Sequence, residues 1–272
     1  MKPEVPKLPR RPLGQTGLLA SCLGLGTVKF GRNTAVKYPR SFDLPDTASM
    51  RRLLDLAREL GINLLDTAPA YGSSEERLGQ VLDDRHDWIL CSKTGEEFEN
   101  GASRFDFSAA HTRFSVERSL RRLRTDYLDM VMVHSDGNDR QIIEQSDCIE
   151  TLQRCRESGL IRSIGFSGKT AAGGLLALEY CEAVMVSYNP SQTGEEAVIN
   201  SAGEMGKAVL IKKALNSGHL STLENPVERA MSFIFSHPAV TSVISGTLNP
   251  KHLQQNAAAV RAALDAEQSD SD

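Results

Sequence analysis

Asp46-Thr47-Ala48-Ser49-Met50-Arg51-Arg52-Leu53-Leu54-Asp55-Leu56-Ala57-Arg58-Glu59-Leu60-Gly61-Ile62-Asn63-Leu64-Leu65 is the stretch on which the fold turns. Asp46 has the side chain of a helix N-cap, and Met50, Leu53, Leu54, Ala57 and Leu60 recur at i, i+3, i+4, i+7 and i+10, which makes one apolar stripe. Gly61 is the residue at which such a helix stops, and Ile62 to Leu65 follows at once as an aliphatic strand. The same pairing repeats along the chain. Trp88-Ile89-Leu90-Cys91 precedes a helix near 108–123, Leu128 to Val133 one near 146–158, and Ile161 to Phe166 one near 171–180. Ala183 to Val186, Ala208 to Ile211 and Val240 to Ile244 are later strands. Asn249-Pro250 opens a last helix with a cap and an N1 proline, its stripe being Leu253, Ala257, Val260 and Leu264. With Ser21 to Leu25 as the first strand, the chain reads as about eight βα units of roughly 30 residues each.

Strands that are apolar throughout are buried on both faces, as in parallel sheets covered by helices. Eight such units close most simply into a (β/α)8 TIM barrel, an α/β fold. The rival is an open doubly wound sheet, which carries a glycine fingerprint after its first strand. Here that place holds Gly24-Leu25-Gly26-Thr27-Val28-Lys29, with Lys29 where a third glycine belongs and an irregular loop after it. Arg11 to Ala20, around Gly14-Gln15-Thr16-Gly17, reads as an N-terminal β-hairpin capping one end of the barrel. No linker divides the chain, so residues 1–272 are expected to form one domain. The acidic tail 266–272 is expected to be disordered. The loop Lys29 to Pro45 is long enough to predict a functional role.

Composition excludes other classes. Lys+Arg number 31 against 35 Asp+Glu, a net charge of −4, which argues against binding nucleic acid or an anionic membrane. No apolar run reaches the ~18–20 residues of a membrane span. The first ten residues carry three prolines and no apolar h-region, unlike a secretory signal. Cys22, Cys91, Cys148, Cys155 and Cys181 are odd in number, scattered and without a Cys-x-x-Cys pair, so they read as buried thiols in a cytoplasmic protein.

In a barrel of this kind the residues just past each strand converge on one mouth. Asp66 follows the second strand with Tyr71 five residues on; Lys93 follows the third, His134 the fourth and Ser167 the fifth. An ammonium beside a phenol lowers the phenol's pKa, and a carboxylate keeps that ammonium charged, so Tyr71 becomes a usable acid or base. A Schiff base on Lys93 is the alternative chemistry. A single imidazole with no repeat at ligand spacing does not suit a metal.

Two stretches carry a resemblance. Gly61-Ile62-Asn63-Leu64-Leu65-Asp66-Thr67-Ala68-Pro69-Ala70-Tyr71-Gly72, followed by Ser74-Glu75 and Leu78-Gly79, resembles the first signature of the aldo-keto reductases. Ser119-Leu120-Arg121-Arg122-Leu123-Arg124-Thr125-Asp126-Tyr127-Leu128-Asp129, running toward His134, resembles a second. With Gly24-Leu25-Gly26-Thr27 and Ile244-Ser245-Gly246-Thr247 the likeness spans almost the whole chain. It implies a barrel binding NADP(H), or else NAD(H), that reduces an aldehyde or ketone to an alcohol by hydride transfer. In that scheme Tyr71 is the general acid, Lys93 depresses its pKa, Asp66 pairs with Lys93, and His134 orients the carbonyl. It further implies cofactor contacts at Gly26, Thr27, Asp66, Ser167, Gly168, Met185, Lys213, Ala214, Leu215, Ser217, Gly246, Thr247, His252 and Asn256, with Lys251 a further candidate near the adenosine 2′-phosphate.

Three positions depart from the family pattern. Gly168 stands where Asn is usual, Met185 where Gln is usual, and Lys213 where an aromatic or Arg lies against the nicotinamide. These departures keep a second reading open, a cofactor-binding regulatory or interaction protein with little turnover, beside a third, a lyase or aldolase using Lys93. The expected partner is a small carbonyl or alcohol, and the protein a monomer or small homo-oligomer. Substrate choice is expected in the loops 29–45, 95–108 and 135–145, the middle one aromatic through Phe98, Phe105 and Phe107. Arg113, Arg118, Arg121, Arg122 and Arg124 are expected to form a solvated helix face, His86, His111, His219 and His237 to lie at the surface, and Trp88 to be core or substrate wall.

Overall fold

Residues flanking the Gly14-to-Gly17 turn pair antiparallel as β1 (Arg10–Pro12) and β2 (Leu19–Ser21). The computed structural model describes residues 6–39, 41–218 and 224–269. After β3 (Leu23–Gly26) and the short α1 (Val28–Gly31) comes α2 (Thr47–Glu59), whose N-cap Asp46 accepts the amide of Ser49 at 2.6 Å. Gly61, at φ 86°, ends α2 with paired bonds from its own N–H to Arg58 O and from Ile62 N–H to Ala57 O. That left-handed conformation costs a residue with a Cβ dearly, which is why a glycine punctuates the helix.

The chain then continues through β4 (Leu64–Asp66), α3 (Ser74–Val81), β5 (Ile89–Thr94), β6 (Glu96–Glu99), β7 (Ala102–Phe105), α4 (Ala109–Leu123) and β8 (Met130–His134). Next are α5 (Asp139–Gln145), α6 (Cys148–Glu157), β9 (Ile164–Ser167), α7 (Ala171–Ala177), β10 (Ala183–Ser187) and α8 (Glu196–Glu204). Last come β11 (Ala208–Lys212), α9 (Pro226–Phe235), β12 (Ser242–Ser245) and α10 (Pro250–Ser269). Eight of the strands form a closed parallel barrel in the order β3-β4-β5-β8-β9-β10-β11-β12, with β12 returning to β3. This is the (β/α)8 barrel read from the sequence.

Strand alternation sorts the core into two layers. Leu64, Ile89, Cys91, Met130, Met132, Ala183, Met185, Ala208 and Leu210 fill the barrel interior. Leu65, Leu90, Val131, Val133, Phe166, Val184, Val186, Val209 and Ile211 pack outward with the helices. The β1/β2 hairpin closes the end where the strands begin: Leu13 and Ala20 join the interior layer, and a Cβ on Gly14 would stand 2.8 Å from Glu182 O. One end of the barrel is therefore apolar and sealed. The other end is reached by the next inward residue on each strand, and there the polar groups lie.

Some expectations are corrected. The loop 95–108 holds β6 and β7, an antiparallel hairpin, and the loop 135–145 holds α5. The arginine face of α4 is not wholly solvated, because β6 and α3 bring carboxylates to it. Arg118 pairs with Glu97 at 2.5 Å, and Arg122 with Glu76 at 2.8 Å and with the fully buried Glu75 at 3.4 Å. Residues 266–269, expected in a disordered tail, are the last residues of α10, while 270–272 and His219 lie outside the described residues. Trp88 is core, 3% exposed, with Arg58 over its ring; all five cysteines are buried, and Cys91, Cys148, Cys155 and Cys181 are free thiols. Among the described residues no helix is long and apolar enough to cross a membrane, and no group of three His, Cys, Asp or Glu could hold a metal.

Candidate active site

A cavity of about 130 Å³ opens at the polar mouth and is lined by Gly26, Val28, Tyr38, Asp66, Tyr71, Lys93, His134, Ser167, Met185, Lys212, Ile244 and Gly246. On one wall, β4 and β5 run in register and present Asp66 and Lys93 inward. Lys93 Nζ donates to Asp66 Oδ1 at 2.5 Å and to Thr67 O at 2.8 Å, both side chains being at most 3% exposed. Tyr71 sits on a 3-10 turn, Pro69–Tyr71, with its Oη 3.3 Å from Asp66 Oδ2 and its ring 4.8 Å from Lys93 Nζ. Burial opposes the Lys93 charge, but Asp66 and Tyr71 more than offset it and hold the ammonium above its ordinary pKa. The Tyr71 phenol is also raised, first by burial and then by Asp66; Lys93 pulls the other way and does not prevail. The lowering expected from the sequence is thus outweighed, and Tyr71 is held as a phenol. Thr27 buttresses this wall from below: its hydroxyl donates to Asp66 O at 2.9 Å and accepts from Ser74 Oγ at 2.9 Å.

His134 ends β8, its ring edge-on to Tyr71 at 6.5 Å. Its Nδ1 lies 2.8 Å from Oε2 of Glu96, the first residue of β6, in a close polar contact that lacks the alignment of a full hydrogen bond. Burial raises the Glu96 carboxyl, but His134, Ser103 and Arg32 bring it down to about 2. Burial lowers the His134 pKa against the pull of Glu96, and Lys93 and Lys212 lower it further, all three disfavouring the charged ring.

The opposite wall is built differently. Lys212, last residue of β11, donates from Nζ to Ser167 Oγ at 3.0 Å and to Gly168 O at 2.6 Å. It makes no ion pair among the described residues, and burial takes its pKa down to about 8 against the attraction of Glu195. Strand alternation makes Lys212, in phase with the inward Ala208 and Leu210, the residue that reaches the cavity. Lys213, expected there, is one step out of phase: it adopts φ 57° beyond the strand, where its carbonyl accepts from Asn189 Nδ2 at 3.0 Å. Gly168 faces Asp139, whose Oδ2 accepts from Lys169 N and from Thr170 N and Oγ1 and would stand 3.1 Å from a Cβ at position 168.

The remaining expected contacts divide. Gly26, Gly246, Ser167 and Met185 line the cavity. Thr247 Oγ1 accepts from Asn249 N at 3.0 Å, and Asn256 Nδ2 donates to Ser245 Oγ at 2.8 Å, both side chains within the first turns around α10. Lys251 and His252 are exposed there, Ala214 is buried, Leu215 packs on the core, and the side chain of Ser217 lies outside the described residues. Lys212, Tyr38 and Glu96 were missed. Alternation could have found Lys212; nothing in the spacing of Tyr38 or Glu96 marks them. Tyr38 folds back from the long loop with Lys29 Nζ 4.0 Å from its ring centre, and its Oη is 3.5 Å from where a Cβ on Gly246 would lie. That Cβ would also stand 3.3 Å from Gly26 O, so glycines on facing strand ends keep a slot open between Tyr38 and the barrel. A slot with Ser167 and Lys212 as donors suits a flat, amide-bearing ring.

The chain is similar to several known proteins. A solved structure described as an aldo-keto reductase from Pseudomonas aeruginosa is 49% identical and superposes with a TM-score of 0.89 over 97% of this chain and 100% of that one. The oxidoreductase YqkF of Bacillus subtilis is 27% identical over 93% of this chain and 91% of its own length. Two partial relatives are L-galactose dehydrogenase of Arabidopsis thaliana, 38% identical over 60% of this chain and 49% of its own, and the NADH-specific methylglyoxal reductase of Escherichia coli, 32% identical over 57% and 50%. The model of the Aldo/keto reductase family matches residues 22–229, which takes in the Asp66–Lys93–Tyr71 wall, His134 and Lys212, and the chain belongs to that family.

Proposed function

We propose that the protein moves a hydride between a nicotinamide cofactor and the carbon of a small carbonyl or alcohol, with Tyr71 as general acid. The observation that carries this reading is the Asp66–Lys93–Tyr71 cluster in a cavity of its own. The cofactor, when bound, supplies the hydride chemistry; the chain supplies position and proton. Tyr71, held as a phenol, donates its proton to an oxygen that gains charge as the carbonyl is reduced. Lys93, kept cationic by Asp66, stabilises the tyrosinate left behind. His134 fixes the oxygen from the other side. An ammonium so paired has no lone pair to offer, which disfavours the Schiff-base reading for Lys93.

Ser167 and Lys212 would hold the carboxamide end of the cofactor, with Met185 against its ring. NADP(H) is the cofactor we favour, on the strength of Lys251 and His252, exposed at the start of α10 where a 2′-phosphate can be met without desolvating either. One charge-assisted hydrogen bond to that phosphate is worth ~1.5–3 kcal/mol, roughly ten- to hundredfold in affinity. The buried free thiols of Cys91, Cys148, Cys155 and Cys181 support a reducing compartment, hence the cytoplasm. Fluorescence titration with NADPH and NADH tests the reading: saturable binding of both, NADPH tighter, is expected. Binding of neither would overturn it. Tight binding without turnover on a broad panel of aldehydes, ketones and sugars would favour a regulatory role, which the altered Gly168 and Met185 wall makes the second reading.

A further inference from the structure

Among the residues that line the cavity, the carboxylate and ammonium groups are Asp66 on one side of the balance and Lys93 and Lys212 on the other. Asp66 pairs with Lys93. Lys212 has no such partner: Ser167 Oγ accepts from it at 3.0 Å and Gly168 O at 2.6 Å, which leaves its third N–H without an acceptor among the described residues. Glu195, just before α8, and Asp139 on α5 favour the Lys212 charge, but both are committed elsewhere. Glu195 Oε2 accepts from Ser187 N, the residue beside Lys212 in the β10–β11 register, and Asp139 accepts from Ser135, Lys169 and Thr170. Lys213 beside it and Lys93 on β5 oppose that charge, and Lys212 in turn opposes one on His134 of β8. Burial and these neighbours bring Lys212 to about 8, so the ammonium prevails at neutral pH and the amine in alkali. At neutral pH the cavity therefore holds one positive charge that no carboxylate in its wall answers.

That charge distinguishes the two forms of the cofactor proposed above. An oxidised nicotinamide ring carries a full positive charge and a reduced one carries none, while the sugars, phosphates and adenine are the same in both. A cation fixed beside the ring thus separates two molecules of nearly one shape. We infer that Lys212 is a specificity-determining residue that favours the reduced cofactor over the oxidised one for as long as it keeps its proton. This rests on the nicotinamide reading of the site. The wall around Lys212 suits the task. A hydroxyl and a backbone carbonyl hold the ammonium in place without cancelling its charge, as a carboxylate would. Met185, in the same wall, brings no opposite charge and little polarity to screen the repulsion. Once the hydride has passed to the substrate, Lys212 faces a cationic ring and weakens the hold on the oxidised cofactor. The same repulsion opposes the hydride step itself, so Lys212 sets which form occupies the site and does not speed the chemistry. The division of labour is then complete: the Lys93 wall serves the proton, and the Lys212 wall the redox state of the cofactor.

The experiment is an equilibrium titration without substrate, NADPH followed by its fluorescence and NADP+ by competition against it, from about pH 6.5 to about pH 9.5. The quantity read is the ratio of the two dissociation constants, in which the contributions of the phosphates and adenosine cancel. In the wild type NADP+ should bind roughly tenfold more weakly than NADPH at the acid end, the scale of one unit-charge repulsion in a partly buried site. The ratio should fall as pH rises and level off above about 8, where Lys212 has lost its proton. Lys212→Met should bind NADP+ more tightly than wild type at the acid end and show a ratio that does not change with pH. Lys212→Arg, charged throughout, should keep the preference for NADPH at the alkaline end. A wild-type ratio that is flat or reversed, or a Lys212→Met protein with the wild-type pH dependence, overturns the assignment and leaves the nicotinamide reading standing. Failure of the wild type to bind either form overturns that reading, and the role of Lys212 with it.

Discussion

Two lysines point into one cavity and are held in opposite ways. Lys93 is gripped by a carboxylate, and its charge is favoured by the fold; Lys212 is held by a hydroxyl and a carbonyl, and its charge is opposed. Burial alone therefore says little about what such a lysine does: desolvation opposes the charge of both, and the partner decides the sign. The Lys93 wall is built for a fixed charge that steadies Tyr71. The Lys212 wall holds an amine that burial brings down to about 8, beside Ser167 and Gly168.

The comparison can be broken most visibly at the Lys93 wall. Tyr71→Phe removes only the hydroxyl, so nicotinamide binding should persist while turnover falls by ~10²–10⁴, the range for loss of a general acid. Steady-state kinetics beside a binding titration read both. If more than half the kcat survives, Tyr71 is not the acid. Asp66→Asn leaves Lys93 buried without its counter-charge and should cost ~3–5 kcal/mol in denaturant unfolding, together with activity. A variant as stable as wild type would mean that the pair carries no net electrostatic weight.

The two lysines also predict pH dependences of opposite sign. Lys212 titrates at about 8 in the fold and at 10.5 when unfolded, so between those values the unfolded chain binds a proton that the folded protein does not. Its contribution to stability therefore rises with pH across that window and is unfavourable below it. Lys212→Met should be more stable than wild type at pH 7 and should lose the rise between 8 and 10.5. Lys93, raised in the fold, contributes stability that is complete below 10.5 and is lost only as pH climbs through its higher folded value. Lys93→Met should thus be the less stable variant at pH 7. Urea unfolding from pH 6 to 10 checks both, and equal signs would erase the distinction.

The smallest effects belong to the altered positions. Met185→Gln adds an amide to the Lys212 wall and should tighten cofactor binding by at most about tenfold, the worth of one neutral hydrogen bond. Gly168→Asn does not simply restore the family pattern, because its Cβ would press on Asp139 Oδ2 at 3.1 Å. It should cost ~1–3 kcal/mol of stability by thermal unfolding. A stable Gly168→Asn protein with tighter binding would show that Asp139 gives way.

Where the sequence was legible, a period or a cap made it so. The stripe from Met50 to Leu60, stopped by Gly61, marked α2 and the strand behind it, and eight such units gave the barrel. Asp66, Lys93 and His134 were legible as residues ending apolar strands. A strand taken to end at Ile211 predicts Lys213 at the mouth, whereas the inward phase set by Ala208 and Leu210, carried one step past Ile211, brings Lys212 there. Glu96 was illegible for another reason. The β6/β7 hairpin has no apolar alternation to announce it, and only the paired backbone brings Glu96 to His134. The direction of the Tyr71 shift was lost for a third reason, since burial and Asp66 together outweigh Lys93 and neither weight can be read from spacing.

The most direct test of the proposed chemistry follows a deuterium. The protein is incubated with oxidised nicotinamide cofactor and a panel of alcohols and sugars deuterated at the carbinol carbon, and the cofactor is then analysed by mass spectrometry. Transfer of a single deuterium to the nicotinamide by the wild type, slowed by ~10² or more in Tyr71→Phe, is the predicted result. Tight cofactor binding with no deuterium transferred from any substrate, or transfer at equal rates in both proteins, would contradict the account.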